Sequence, residues 1–380
     1  MDPTAAINAE VDGVDRVEAL CRAASLGDEE EVRRILAIPG VDVNLRGRTG
    51  RTPLIEASLS GRPEVVRVLL GAPGIDVNLA DRDRMTPLHK ASVYGHSEVV
   101  RLLLGTPGID VNLADSDGMT PLHWASRCGH SRVMPFLLGA PGIKLNLADH
   151  GGRTPLHWAS RVGHSRVVAL LLGAPGIKIN RADRDGRMTS LHLASRSGHS
   201  EVVQLLLEAQ GINVNLADRV GYTALHHASF FERSEVVRLL LGAPGIDVNL
   251  ADRHGMTPLS VASSGSDSEV ASLLLAAPGI RVFRKNRNGQ SAMDLAEFGS
   301  DVWHMLDEVV DAKRTFGALL LALLHHGVSR SDAADLAMCG LRDDRARAMA
   351  ARMRDTWPGA GGGQGEGERA RDRKRRRTTS

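Results

Sequence analysis

Residues 118–151 read GMTPLHWASRCGHSRVMPFLLGAPGIKLNLADHG, and almost everything between residues 17 and 310 is a variant of that stretch. The Thr of its TPL signature recurs at Thr52, Thr86, Thr120, Thr154, Thr189, Thr223 and Thr257, in steps of 34 residues with one of 35. A degenerate copy precedes them around Leu20, where Glu18-Ala19-Leu20 replaces the signature, and another follows at Ser291. That gives about nine units. A fixed period in this range marks an array in which each unit buries its apolar face against its neighbours, because no single unit can bury enough alone.

The unit has a physical grammar. Thr120 offers a side-chain oxygen to an orphan backbone N–H and so predicts a helix N-cap. Pro121 follows at the first helical position, where its missing donor costs nothing. Gly129 suits a left-handed C-cap. Ser131 is expected to open a second helix with Val133, Met134, Leu137 and Leu138 as its apolar positions. Pro135, one turn in, is expected to distort that helix without breaking it. Gly139-Ala140-Pro141-Gly142 ends it. Ile143 to Leu147 is expected to be extended, and Asp149 to Gly152 to turn back toward the next Thr-Pro-Leu. The fold class expected is an all-α repeat solenoid of helix-turn-helix units with projecting hairpin loops.

Thr-Pro-Leu-His at 86–89, 120–123 and 154–157, Gly-His at 95–96, 129–130, 163–164 and 198–199, and the recurring Val-Val-x-Leu-Leu-Leu runs resemble ankyrin repeats. The resemblance covers about three quarters of the chain. Two departures stand out. Gly-Ala-Pro-Gly-Ile lengthens the loop after the second helix, and Arg187 adds a residue to one hairpin. The resemblance implies a non-enzymatic protein-binding scaffold or adaptor, which meets its partners through hairpin tips and the exposed face of the first helices.

Carried onto this sequence, the partner-binding candidates are Arg82, Met85, Tyr94, Met119, Arg127, Arg153, Arg161, Arg184, Met188, Arg196, Arg219, Tyr222, Phe230, Phe231 and Arg253. Arg and aromatic side chains anchor interfaces, and Met adapts to irregular apolar partners. The stripe is expected to bind an acidic or acidic-hydrophobic protein segment, with Arg127, Arg161 and Arg196 at its centre. Trp124 and Trp158 are read as core.

The chain divides into a lead-in at 1–15, the array at 16–310, a helical segment at 311–357 and a basic tail at 358–380. The acidic Asp28, Glu29, Glu30 and Glu31 suit a polar end unit. Glu232-Arg233 and Ser266-Asp267 stand where Gly-His would be, so those turns are expected to be less regular. A helix from about Val302 to His326, a capping box at Ser329 and Asp332 and a charged helix over 342–354 would pack on the last repeat. The alternative is a docking module for a ubiquitin-ligase component, as in ankyrin proteins that end in an F-box-like segment. Arg373, Lys374, Arg375, Arg376 and Arg377 form a candidate nuclear-localisation run, which makes a nuclear regulator the other alternative.

Net charge is +2 across 380 residues, so no global field points to nucleic acid or membrane. Cys21, Cys128 and Cys339 lie far apart without metal spacing, the pattern of reduced thiols in an intracellular, cytoplasmic or nuclear, protein. No leader is expected from the opening MDPTAAINAEVDG. His89, His123, His157, His192 and His226 recur in identical settings, as do His96, His130, His164 and His199. Repetition argues for ties between loops and neighbouring units rather than for catalysis or a metal. Asn44, Asn78, Asn112, Asn146, Asn180, Asn215 and Asn249 read as a second ladder. Phosphate loops, zinc motifs and nucleophile elbows are all missing, so neither an enzyme nor a cofactor is expected.

Overall fold

A computed structural model describes residues 16–265 and 267–325. The lead-in, Cys339, the Ser329–Asp332 capping box, the helix read over 342–354 and the tail with Arg373 to Arg377 lie outside the described residues. Among those described there are eighteen helices and no strand.

The helices come in pairs. They are α1 (16–26) with α2 (Glu29–Leu36), α3 (Pro53–Leu59) with α4 (Pro63–Leu70), and α5 (Pro87–Tyr94) with α6 (Ser97–Leu104). Next are α7 (Pro121–Cys128) with α8 (Met134–Leu138), α9 (Pro155–Val162) with α10 (Ser165–Leu172), and α11 (Ser190–Ser197) with α12 (Ser200–Glu208). Then follow α13 (Ala224–Phe230) with α14 (Ser234–Leu241), α15 (Pro258–Ser263) with α16 (Ser268–Leu275), and finally α17 (Ala292–Leu295) and α18 (Asp301–His325). The chain forms two compact units that divide between His227 and Ala228. The boundary drawn from sequence at 310/311 falls inside the continuous α18.

In the first unit, first helices pack on first helices, α3 on α5, α5 on α7, α7 on α9 and α9 on α11. Second helices do the same, α4 on α6, α6 on α8, α8 on α10 and α10 on α12. In the second unit α14 packs on α16, α15 on α16 and α17, and both α16 and α17 on α18. The core between the layers is built from one stripe per helix. In α6 it is Val99, Val100 and Leu103, each at most 1% exposed, the helical spacing that puts them on one face.

The local grammar holds. Thr86 is an extended N-cap with Pro87 at the first position, and its capping box is closed by His89. Gly129 closes α7 in the left-handed region at φ 78°. Glu232, where a Gly would stand, is forced to φ 55°. Arg187, the extra hairpin residue, sits at φ 57°.

Two local expectations are corrected. The helix read from Ser131 begins at Met134 and has five residues, because Pro135 has no N–H to give to Ser131. Val133, Met134 and Leu137 stay fully buried, so the apolar face survives the loss of a turn. The segment 143–147 is not extended but bends at 145–146, with Leu147 N–H donating to Lys144 O at 3.3 Å.

Three ladders join successive repeats of the first unit. Thr86 N–H donates to His89 Nδ1 at 3.1 Å, so the other ring nitrogen carries the proton and donates to Met119 O at 3.0 Å. His123 reaches Arg153 O, His157 reaches Met188 O and His192 reaches Tyr222 O. The Gly-His histidines tie backward, His96 to Leu59 O and His164 to Arg127 O. Asn78 Nδ2 donates to Gly108 O at 2.7 Å and its Oδ1 accepts from Asp110 N–H at 2.9 Å. The same pair of hydrogen bonds recurs at Asn112, whose Nδ2 donates to Gly142 O and whose Oδ1 accepts from Lys144 N–H. Hairpins are joined by single backbone bonds, such as His150 N–H to Asp117 O at 3.0 Å.

Candidate protein-binding surface

The surface is built from one position, four residues after each capping Thr. In the first unit that position holds Glu56, Lys90, Trp124, Trp158, Leu193 and His227. Nine residues before Lys90, Trp124, Trp158 and His227, and ten before Leu193, where Arg187 lengthens the loop, stands the hairpin Asp, whose carboxylate folds into the loop; before Glu56 the place is taken by Gly47. Asp115 Oδ1 accepts from the N–H groups of Asp117 and Met119, both at 2.9 Å. Its second oxygen is buried and needs a donor.

The residue at the varying position supplies it. Lys90 Nζ reaches Asp81 Oδ2 at 2.7 Å, in an ion pair with side chains 8% and 5% exposed. Trp124 Nε1 donates to Asp115 Oδ2 at 2.7 Å, Trp158 Nε1 to Asp149 Oδ2 at 2.8 Å, and His227 Nε2 to Asp218 Oδ2 at 2.9 Å. Leu193 has no donor, and there Arg153 Nε approaches Asp183 Oδ2 at 3.7 Å instead. Burial pushes the Asp81 and Asp218 carboxyls up. The hydrogen bonds from Lys90 and His227 and from loop N–H groups outweigh it, and both sit below the usual carboxylate range.

Pinning each indole by its N–H leaves its ring half-exposed. The Arg127 guanidinium carbon lies 5.0 Å from the Trp124 ring centroid and 4.9 Å from that of Trp158. Arg161 lies 5.4 Å and Arg153 5.5 Å from the same Trp158 ring. Arg153 also pairs with Asp185 at 2.9 Å. Arg127 and Arg161 form no ion pair with any described residue. Stacking on indole faces holds a guanidinium in place while its edge N–H fork stays open to a planar acceptor. The half-buried Cys128 beside it has its thiol pushed up by burial, with Arg127 pulling the other way.

The predicted residues distribute as follows. Arg82, Arg184 and Arg219 are exposed on hairpins, and Tyr94, Arg127, Arg161 and Arg196 at the ends of first helices. Met85, Arg153 and Tyr222 are half-buried. Met119 and Met188 are only 2% and 8% exposed and lie beneath the surface. The backbone carbonyl of each accepts from a histidine of the preceding repeat, His89 for Met119 and His157 for Met188. Arg253, Phe230 and Phe231 belong to the second unit, where Phe230 is 55% exposed and its ring centroid lies 5.0 Å from that of Phe231. Trp124 and Trp158, read from sequence as core, are instead half-buried, with their N–H groups bonded to hairpin carboxylates.

Ankyrin-repeat family models match residues 5–81, 73–149, 106–183 and 182–252, and a further ankyrin-repeat model matches 245–296. The chain belongs to the ankyrin-repeat family, an all-α repeat solenoid whose arrays characteristically serve protein–protein interaction without catalysis. A comparison with curated proteins found no match. Among the described residues no group of His, Cys, Asp or Glu is arranged to hold a metal. No helix among them is long and apolar enough to cross a membrane.

Proposed function

We propose that the chain is a non-enzymatic adaptor that captures an acidic protein segment on the first-helix face of repeats 118–186. One observation carries this reading: the Arg127 guanidinium held between the faces of Trp124 and Trp158, with no carboxylate of its own. A guanidinium fixed in this way has less freedom to lose on pairing with a carboxylate, and the surrounding indole area adds apolar contact. Arg161 continues the site one repeat further, and Arg196 occupies the same place on α11.

Affinity capture tests it, comparing wild-type chain with the Arg127→Glu, Arg161→Glu, Arg196→Glu variant. The reversed chain loses the proteins that the wild type retains, while its helical circular-dichroism signal stays the same. Identical captured sets from both chains overturn the reading.

A further inference from the structure

The same two repeats differ from their neighbours on their other side, along the second helices and the loops that follow. Residues 118–186 carry nine Lys and Arg against three Asp and Glu, whereas 50–117 carry seven against nine. Three columns produce the change. In the column that is the second position of the second helix in the other repeats, Glu64, Glu98 and Glu201 give way to Arg132, just ahead of the shortened α8, and to Arg166 in α10. Three residues on, Arg67 and Arg101 give way to Pro135 and Ala169. In the following loop, Asp76 and Asp110 give way to Lys144 and Lys178.

Folding gains nothing from these exchanges. Elsewhere Glu98 pairs with Arg101 at 2.6 Å and with Arg67 of the preceding repeat at 3.8 Å, and both pairings are absent from repeats 118–186. In the neighbouring loops Asp76 and Asp110 accept the N–H groups of Asn78 and Asn112, each at 2.9 Å, a bond that Lys144 and Lys178 cannot make. Pro135 also removes a helical turn. Local losses that coincide in the same two repeats are a mark of function rather than packing.

What remains is a cationic row at each end of the second helices. Arg132, Arg166, Lys144 and Lys178 are all exposed, and none pairs with a described residue. The rows are separated by the length of a short helix, about 12 Å for the eight residues of α10. Between them the surface is apolar. Pro135 and Ala169 are exposed, Phe136 is 37% exposed and Leu170 half-buried.

We infer that this second-helix side is a second docking surface, distinct from the Arg–Trp face, for a short acidic protein segment with an apolar centre and carboxylates at both ends. The two charged rows fit the ends and the strip fits the centre. A nucleic-acid strand suits it poorly, because the strip sets apolar surface where a polyanion presents phosphates, and Phe136 offers one ring where stacking needs several. The chain's own C-terminal basic run carries the wrong sign.

Fluorescence anisotropy on the full chain tests the inference with three labelled probes. One is a peptide of about twelve residues, three helical turns, with Asp and Glu at both ends and Leu, Phe and Met between. The second is the same composition scrambled, and the third a single-stranded oligonucleotide of similar length. The Arg132→Glu, Arg166→Glu, Lys144→Asp, Lys178→Asp variant installs residues that flanking repeats already carry, so it retains the fold. Expected is block-peptide binding about ten-fold tighter than the scramble, lost in this variant and kept in Arg127→Glu, Arg161→Glu. Unchanged binding by the four-site variant overturns the inference. So does equal binding of the scramble or the oligonucleotide, or loss confined to the Arg127 and Arg161 variant, which places the peptide on the first-helix face.

Discussion

Lys90 and Trp124 occupy the same position in successive repeats and do the same structural task, yet they leave different surfaces behind. Each satisfies the buried second oxygen of a hairpin carboxylate, at 2.7 Å in both cases. Lysine spends its charge on that bond and is 6% exposed. Tryptophan gives only an N–H, keeps its ring half-exposed, and so gains a face on which Arg127 stacks. A position constrained by the fold can therefore still vary in the surface it presents when the replacement keeps one donor, and at Leu193, which has none, Arg153 approaches the carboxylate instead. Glu56 marks the other limit. Gly47 stands where the hairpin Asp would be, so no donor is needed, and the carboxylate at 56 instead accepts from Thr49 at 2.9 Å and pairs with Arg51 at 3.6 Å.

Acid tests what the two kinds of repeat share, and its effect should be the largest. His123 and His192 are buried and have their pKa lowered to about 4, with burial the dominant cause. His89 and His157 are lowered for the same reason. These rings are neutral when folded, whereas the unfolded chain takes up their protons near the ordinary 6.5. The unfolded state thus binds more protons in that window, and stability rises with pH through it. The stabilisation is complete above about pH 6.5 and is lost as pH falls toward 4, on the order of 3 kcal/mol for each of His123 and His192. Urea unfolding at neutral pH and at mildly acidic pH reads it directly, and equal midpoints would break the assignment.

Substitution then separates the repeats. Lys90→Met strands the Asp81 carboxylate in a buried site and should cost about 3–5 kcal/mol. Trp124→Phe leaves Asp115 short of one hydrogen bond and should cost about 1–3 kcal/mol. Lys90→Trp, which keeps a donor, should cost less than Lys90→Met in the same denaturation measurement. If the tryptophan variant is the worse of the two, the shared role assigned to this position is wrong.

Gly129 probes the joint between the Trp repeats. It sits at φ 78°, and a Cβ there would meet the His164 ring at 2.6 Å. Gly129→Ala should cost about 2 kcal/mol, from the left-handed strain and the displaced histidine bond. The smallest effect is expected in the hairpin of the Lys90 repeat, where Arg84 holds φ 59° in the place of Gly118 and Gly152. Arg84→Gly should raise stability by up to about 1 kcal/mol, strain relief being partly offset by the freer unfolded chain. A thermal melt resolves the sign.

Much of this architecture is legible in the sequence because it repeats. Period, caps, histidine ties and the asparagine ladder all follow from residues that recur at the same place for the same backbone reason. The candidate face is harder to read. Hydrophobicity assigns Trp124 and Trp158 to the core, and places Met119 and Met188 on the surface because they adjoin the hairpin tips. The signal that separates them is a pairing between columns, a hairpin Asp followed nine residues later by a donor at Lys90, Trp124, Trp158 and His227. The charge inversion at Arg132, Arg166, Lys144 and Lys178 is invisible to periodicity, which records that a position is polar but not its sign. At Pro135 the sequence shows the missing donor, and the structure shows how much helix that removes.

Hydrogen exchange of the chain with and without its captured partner tests the central claim most directly. The account predicts new protection concentrated in 118–186, over α7, α9 and the hairpin at 149–152, and little change in α14 to α16. Protection centred on the second unit, with 118–186 exchanging as in the free chain, would contradict it.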